Sequence, residues 1–316
     1  MRLKLLDTKD LAILRVLDKD VRASYSEIGR KTRLSKEVVQ YRIKKLEDEK
    51  IITGYWAIIN QRYASVYKVL IKNRSLSGEK KQEFIQFASK HKIVSWFAET
   101  EGNWDFIMTI TSRTDEDFIE FFKELNERYS SFFQRRDILK STSAMLTNEK
   151  YLNPEGKFLY AYSIDFDSAL KPEDKIDETM MNEISMNSRI KFTEMAAKLK
   201  MTSEAISYRY RNIMKKGLIN GLKMRLDIEK LGLSYYHLFV SLQDHAKRKE
   251  MIAFYKQHPA CNSILEHIGY YDMHIELMIP ENNIDNVMDE FLAKFGNSVS
   301  SYELLRIRKE HILHMK

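Results

Sequence analysis

One cysteine among 316 residues is too few for a disulfide within the chain, and it leaves no second thiol for a cysteine-based zinc or iron–sulfur site. Four prolines and ten glycines are too few to punctuate a loop-rich scaffold, so long regular elements are expected. Apolar runs are short and interrupted by charge, which argues against a membrane span. The opening Met1-Arg2-Leu3-Lys4-Leu5-Leu6-Asp7 lacks the sustained apolar stretch and small-residue cleavage site of a secretory signal, so a cytoplasmic protein is expected. What is present is a globular composition, 44% hydrophobic and 31% charged, in a chain long enough for two or more domains. A formal net charge of +7 suits a polyanionic partner without identifying one.

The chain also states one pattern twice. Leu34-Ser35-Lys36-Glu37-Val38-Val39-Gln40-Tyr41-Arg42-Ile43 returns 167 positions on as Met201-Thr202-Ser203-Glu204-Ala205-Ile206-Ser207-Tyr208-Arg209-Tyr210. Gly102-Asn103-Trp104-Asp105 returns as Gly269-Tyr270-Tyr271-Asp272 at the same shift. Two landmarks in step imply duplication of a whole module, too long for a solenoid repeat.

In the first copy Asp7 is a candidate N-cap with Asp10 three positions on, and Leu11, Leu14 and Leu17 recur at helical spacing. Ser24 and Glu27 read as a capping pair for a short second helix, and Ser35 caps a third whose apolar stripe is Val39, Ile43 and Leu46. Three helices with a tight turn before the last form the helix-turn-helix pattern. Residues 51–60, β-branched and aromatic around Gly54, read as a small hairpin or wing, and 218–227 around Gly221 as its counterpart. Periodicity then predicts strand 67–74, helix 79–91, strands 93–101 and 104–111, helix 114–131 and strand 133–148. That order, βαββαβ, suggests a ferredoxin-like sandwich.

The second copy opens at Ile176-Asp177, which makes its first helix and turn three residues shorter up to Arg189 than the stretch from Asp7 to Arg22. Its helices are expected near 177–186, 192–198 and 203–216. There follow strand 235–242, helix 246–257, strands 261–269 and 271–279, helix 281–295 and strand 300–314. Residues 152–173 match neither copy; the apolar Phe158-Leu159-Tyr160-Ala161-Tyr162 within this linker should pack on a domain. The expected class is α+β, with winged helix-turn-helix domains at 1–62 and 174–229 alternating with ferredoxin-like βαββαβ domains at 63–151 and 230–316.

Leu6-Asp7, Ser35, Val39, Arg42-Ile43, Leu46, Ile52 and Gly54, followed by a βαββαβ pattern carrying Gly102-x-x-Asp105, resemble the Lrp/AsnC family of leucine-responsive, or feast/famine, transcription regulators. Each half of the chain carries the likeness, whereas the usual family chain carries one copy. The resemblance implies a DNA-binding winged helix-turn-helix joined to a domain that dimerises and senses amino acids. It puts Ser35, Lys36, Gln40, Tyr41 and Lys44 of the first copy, and Thr202, Ser203, Ser207, Tyr208 and Arg211 of the second, at a major groove. Gln40 suits bidentate reading of adenine; Lys44 and Arg211 suit guanine or phosphate. Arg42 and Arg209 occupy the family's matching Arg position, where a phosphate contact and a structural ion pair are both open readings. A solvated basic face on a structural helix is the plainer alternative for the whole set.

Because Gln40 stands where the second copy has Ser207, the two surfaces differ, and an imperfect palindrome is the expected operator. The resemblance places an effector pocket at Gly102, Asp105, Gly269 and Asp272, although hairpin-turn chemistry alone explains those residue types. Trp104, Tyr270 and Tyr271 crowd the turns. Histidines at 91, 237, 245, 258, 267, 274, 311 and 314 show no zincin spacing, so they are expected to be structural, with no metal.

The expected protein is therefore a sequence-specific DNA-binding regulator without catalytic activity or cofactor. Its partners would be double-stranded DNA and an amino acid or other small effector, and its halves would form an internal pseudo-dimer able to assemble into a further homo-oligomer. Two alternatives stand beside it. One is a tetrapyrrole enzyme like the siroheme decarboxylases, which share the family's fold; it is disfavoured because residues 94–101 and 263–267 carry carboxylates and only His267. The other is a co-regulator whose second winged helix no longer binds DNA.

Overall fold

A computed structural model describes residues 3, 5–60, 65–74, 78–153, 157–166 and 172–312. In chain order its first half holds α1 (Thr8–Lys19), α2 (Tyr25–Thr32), α3 (Lys36–Asp48), β1 (Ile52–Ile59), β2 (Ser65–Asn73), α4 (Gly78–Lys90), β3 (Val94–Glu101), β4 (Phe106–Ser112), α5 (Asp115–Tyr129) and β5 (Phe133–Thr147). A short strand β6 (Ala161–Asp165) follows. The second half holds α6 (Lys175–Met186), α7 (Phe192–Leu199), α8 (Ser203–Lys215), β7 (Ile219–Leu226), β8 (Ser234–Leu242), α9 (Arg248–Gln257), β9 (Cys261–Ile268), β10 (Met273–Ile279), α10 (Ile284–Phe295) and β11 (Val299–Ile312). These elements gather into two units interleaved along the sequence. One takes both helical segments and the stretch 147–164, the other both βαββαβ segments. Among the described residues no helix is long and apolar enough to cross a membrane. The linker positions 154–156 and 167–171, the boundary at 62/63 and His314 lie outside the described residues.

In the helical unit the caps are local and repeated. Asp7 accepts from the backbone N–H of Lys9 and Asp10, and the Asp10 carboxylate answers to the Asp7 N–H, a capping box. Ser24 and Ser35 accept from the N–H groups of Glu27 and Val38. The second segment corrects one expectation. Its first helix is capped by Asp174, not Asp177, so the shift of 167 runs through without a three-residue deletion. The error came from an Asp-x-x-Asp spacing that offers two candidate caps.

The wings are a second correction. Neither 51–60 nor 218–227 folds back on itself; β1 and β7 pair with each other, antiparallel, from Ile52 opposite Leu226 to Ile59 opposite Ile219. Each strand thereby completes the other segment's core. Met224 and Leu226 of β7 are buried with Ile13, Leu17, Val39 and Ile43, while Ala57 of β1 is buried with Met180, Ile184, Ile206 and Ile213. Arginines are exchanged as well. Arg22 donates to the carbonyls of Ser188 (2.6 Å) and Ile190 (3.0 Å), and its counterpart Arg189 donates to the Val21 carbonyl (2.5 Å). Arg22 also stacks over Phe192 at 4.3 Å and Arg189 over Tyr25 at 5.7 Å, a matched pair of cation–π contacts.

The described part of the linker packs where its aromatic residues suggested. The Tyr162 ring lies directly on Gly221, where any Cβ would collide with it. The Tyr160 hydroxyl donates to the Asp18 carbonyl. Beneath it lies a buried polar group. Lys223 pairs with Glu149 at 2.7 Å and donates to the Thr147 carbonyl at 2.7 Å, and the Glu149 N–H donates to the Asp18 carboxylate.

In the second unit each βαββαβ segment forms four strands ordered β5-β2-β4-β3 and β11-β8-β10-β9. Every open edge is then closed by the other segment, since β3 pairs with β11 and β9 with β5, so the eight strands form a hydrogen-bonded ring. This explains why β5 and β11 are long. Residues 133–141 of β5 pair with β2 and residues 140–146 with β9; β11 divides in the same way between β8 and β3. Alternation along the strands separates two faces. Tyr67, Val69 and Ile71 meet Phe84, Phe118, Phe121 and Leu125 of the helices, whereas Leu70, Ala98, Ile107 and Leu139 meet Phe239, Tyr271, Leu305 and Ile307 across the ring. Burying such side chains stabilises the unit by roughly 1.5–3 kcal/mol each.

Two expected outcomes follow from these arrangements. Burial, and next the negative charge of Glu149, push the Asp18 carboxyl up to about 6 against the pull of Lys223. A folded-state value raised above the unfolded 3.8 contributes stability that is complete below pH 4 and is lost as the pH rises through 6. Thermal melts at pH 4.5 and 7.5 should therefore differ less in Asp18→Asn than in the wild type; an unchanged difference refutes the assignment. In the second unit Gly269 has φ +149°, and a Cβ there would lie 2.7 Å from Leu139 Cδ2 and 3.1 Å from the Ile138 carbonyl oxygen. Gly269→Ala should cost about 1–3 kcal/mol in denaturant unfolding, through both the Gly-only backbone conformation and the collision with β5.

Candidate nucleic-acid interface

The third helix of each helical segment leaves its N-terminal surface in solvent. In α3, Ser35, Lys36, Gln40, Tyr41 and Lys44 are exposed, Tyr41 at 70%, around a buried stripe of Val39, Ile43 and Leu46. In α8, Thr202, Tyr208 and Arg211 are exposed, Tyr208 at 61%, but Ser203 and Ser207 are half-buried. The two faces thus differ in reach as well as in chemistry. Exposed tyrosines and cations around a Gln amide can make base-edge, methyl and phosphate contacts, and anions are favoured near the N-terminus of either helix.

Arg42 and Arg209 each make ion pairs within their own segment. Arg42 Nη1 lies 2.7 Å from the Asp7 carboxylate and 2.8 Å from that of Asp10, and Arg209 Nη1 lies 2.9 Å from Asp174 and 2.8 Å from Asp177. Each guanidinium clamps the third helix of its segment to the capped start of the first. The ion pair, one of the two sequence readings for this position, is present in both segments.

The Gly-x-x-Asp turns are also internally occupied. Gly102 (φ +132°) packs against Leu305 and the Leu304 carbonyl just as Gly269 packs against Leu139 and Ile138, so both glycines serve the ring closure. Asp105 accepts from the Asn73 N–H (2.7 Å) and pairs with Lys72 (2.9 Å); Asp272 accepts from the Leu242 N–H (2.7 Å) and from Arg248 (3.0 Å). Beside these turns a cavity of about 280 Å³ is lined by Trp104, Tyr270, Tyr271, Arg135, Arg136 and Glu303, among others, with Arg135 stacked 4.1 Å over Trp104.

A second polar group lies within the strand ring, and the sequence reading missed most of it. His237 of β8, His274 of β10 and Lys68 of β2 are buried there and Glu276 of β10 partly so, with His267 of β9 adjoining. Burial pulls Lys68 down to about 8, against the attraction of Glu276 and Glu310, and pulls His274 down to about 4. Burial likewise holds His237 and His267 well below the ordinary imidazole value. Burial acts to raise Glu276, but His237, the His274 hydrogen bond and Lys68 together hold it well below the usual carboxylate range. The available signal was His274-x-Glu276 on one strand face; the partner on β8 depends on register, which the sequence does not state.

The AsnC-type helix-turn-helix domain model matches residues 6–47, spanning α1 to α3. An HTH-type transcriptional regulator of Pyrococcus horikoshii is 31% identical over 118 residues, 37% of this chain and 80% of that protein. Another from Methanocaldococcus jannaschii is 30% identical over 120 residues, 38% of this chain and 81% of that protein. Among solved structures the siroheme decarboxylase NirDL covers 98% of this chain and 95% of its own, with a TM-score of 0.64 and 14% identity, a likeness of fold alone. With relatives of this identity matched over most of their length, the chain belongs to the Lrp/AsnC family of transcription regulators.

Proposed function

We propose that the chain is a sequence-specific DNA-binding transcription regulator that acts in the cytoplasm as a single-chain pseudo-dimer, with α3 and α8 as its recognition helices. Two helix-turn-helix segments, whose strands β1 and β7 pair with each other in place of separate wings, and two ferredoxin-like segments would then stand in for the two subunits of an ordinary family dimer. The observation that carries this reading is the exposed face of α3 inside the segment that matches the AsnC-type domain, held in place by the Arg42 clamp. Covalent linkage replaces a bimolecular encounter with a high effective concentration. An amino acid or similarly small effector would occupy the cavity of about 280 Å³ beside the Gly102 and Gly269 turns, just under the usual size of ligand sites.

Tetrapyrrole chemistry is the second reading, favoured by one observation: the buried His237, His267, His274 and Lys68 lie within a chain whose fold matches siroheme decarboxylase NirDL over nearly its whole length. Titration with an iron porphyrin carrying several carboxylates, followed by absorbance, separates the two readings. A saturable Soret shift supports the enzyme.

For the regulator, site selection should return an imperfect inverted repeat, and gel shifts should show affinity falling steeply with salt. Gln40→Ala should weaken binding by about 1–3 kcal/mol and relax one half-site, and Ser207→Ala should do much less. A perfect palindrome with equal losses would sink the asymmetric operator, and a flat salt response would sink DNA binding itself. Arg42→Ala should lower the melting temperature while leaving the preferred sequence unchanged, because its guanidinium serves the fold; a change of preferred base at constant stability contradicts that role.

A further inference from the structure

We propose that His237, His274 and Glu276 form a binding site for one divalent transition metal ion of the zinc or iron(II) class, inside the strand ring of the second unit. The three positions are set by sheet register. His237 on β8 stands directly opposite Glu276 on β10, and His274 lies two residues along β10 on the same face. Their ligand atoms all lie within 4.8 Å of one another. His274 Nε2 is 3.2 Å and His237 Nε2 is 3.7 Å from the same oxygen, Glu276 Oε1. Ligands about 2.0–2.2 Å from a common zinc or iron stand roughly 3–3.6 Å apart, which the two pairs on Glu276 Oε1 nearly meet, while the imidazoles, within 4.8 Å of each other, would close in on the ion. Two imidazoles and one carboxylate on one side of the ion leave further positions open, a donor set that suits zinc or iron(II) better than calcium or magnesium.

The surrounding groups orient the donors. Glu276 Oε2 accepts from Tyr235 Oη at 2.6 Å and from Ser263 Oγ, which leaves Oε1 turned to the histidines. His274 Nδ1 is 2.7 Å from His267 Nε2, and His267 Nδ1 is 3.1 Å from Ser141 Oγ, so His274 presents Nε2. A metal-ligating histidine is ordinarily held by its other ring nitrogen in this way. His237 supplies an independent observation. It is fully buried, and neither of its ring nitrogens has a hydrogen-bond partner. An imidazole placed so, with a carboxylate oxygen beyond hydrogen-bond reach, gains a partner from a cation between them.

Lys68 is the competing cation. Its ammonium sits 4.6 Å over the Trp96 ring and is attracted by Glu276, so its charge and that of the metal oppose each other. Removing it should tighten metal binding.

The test uses the full chain, dialysed against chelator and titrated with Co(II) and then Zn(II). One Co(II) per chain is expected, with visible d–d bands of a nitrogen–oxygen ligand set and no thiolate charge-transfer band, displaced by Zn(II). His237→Ala and Glu276→Gln should each weaken binding by roughly 100-fold, and His267→Ala, which acts through His274, by roughly 10-fold. Lys68→Met should strengthen it severalfold, a gain that an unfolded variant could not give. Absence of saturable binding to the wild-type chain overturns the proposal. So does stoichiometric binding that persists unchanged in His237→Ala and in Glu276→Gln, which would place the ion on other histidines. No readout involves DNA or tetrapyrrole, so the outcome is separate from the proposed function.

Discussion

A four-stranded sheet has two open edges, and in this chain each edge is closed by the other copy of the module. Pairing β3 with β11 and β9 with β5 satisfies rows of N–H and C=O groups that would otherwise invite aggregation. The length of β5 and β11, the unusual backbone of Gly102 and Gly269 and the leucines packed against them all follow from this closure. The helical unit solves the same problem on a smaller scale. β1 alone has no partner within its segment, and β7 has none within its own, so they pair and send side chains into each other's cores. Neither module, as folded here, is complete alone.

Where the copies meet, their chemistry is matched; where they do not need to match, it has separated. Arg22 and Arg189, Arg42 and Arg209, Gly102 and Gly269 make equivalent contacts. In the ring interior the equivalence stops. Ile71 and Val240 occupy corresponding places, since they accept from the N–H groups of Asp105 and Asp272, and by that register Lys68 corresponds to His237. At the shift of 167, Ile107 corresponds to His274, Thr109 to Glu276 and Thr100 to His267. Two identical subunits would repeat any cluster twice around their axis. Duplication within one chain permits a cluster that exists once, with a cation from one copy facing imidazoles and a carboxylate from the other.

Local signals were legible in the sequence and distant ones were not. The caps at Asp7, Ser24 and Ser35, the apolar stripe of α3 and the strand alternation around Phe106 and Met108 each depend on residues within one turn or one strand, and their structural roles follow directly. The wing was misread because β1's hydrogen-bond partner is another strand of the same composition far along the chain; a β-branched run around a Gly cannot say whether it turns back or waits for a partner. The His237 group was hidden for a related reason. Its members are near one another only through the β8–β10 register, and the change of shift from 167 to 169 before β8 obscures the correspondence of Lys68 with His237. For α3 and α8 the residue types were readable, but the half-burial of Ser203 and Ser207 was not.

The two regions of the ring interior bear differently on what a buried polar group is for. Around Leu70, Leu139, Phe239 and Leu305 the ring is filled by apolar packing, which shows that closure needs no charge. Around Lys68, His237, His274 and Glu276 it encloses ionisable groups whose desolvation works against folding, and burial depresses both the lysine and the imidazoles. Hydrogen bonds from Tyr235, Ser263 and His267 recover part of that cost at Glu276 and His274, but none reaches His237. An apolar side chain at His237, as at the neighbouring Phe239, would avoid the penalty altogether. A fold that tolerates this arrangement beside an apolar solution to the same packing problem carries chemistry there that closure alone does not require.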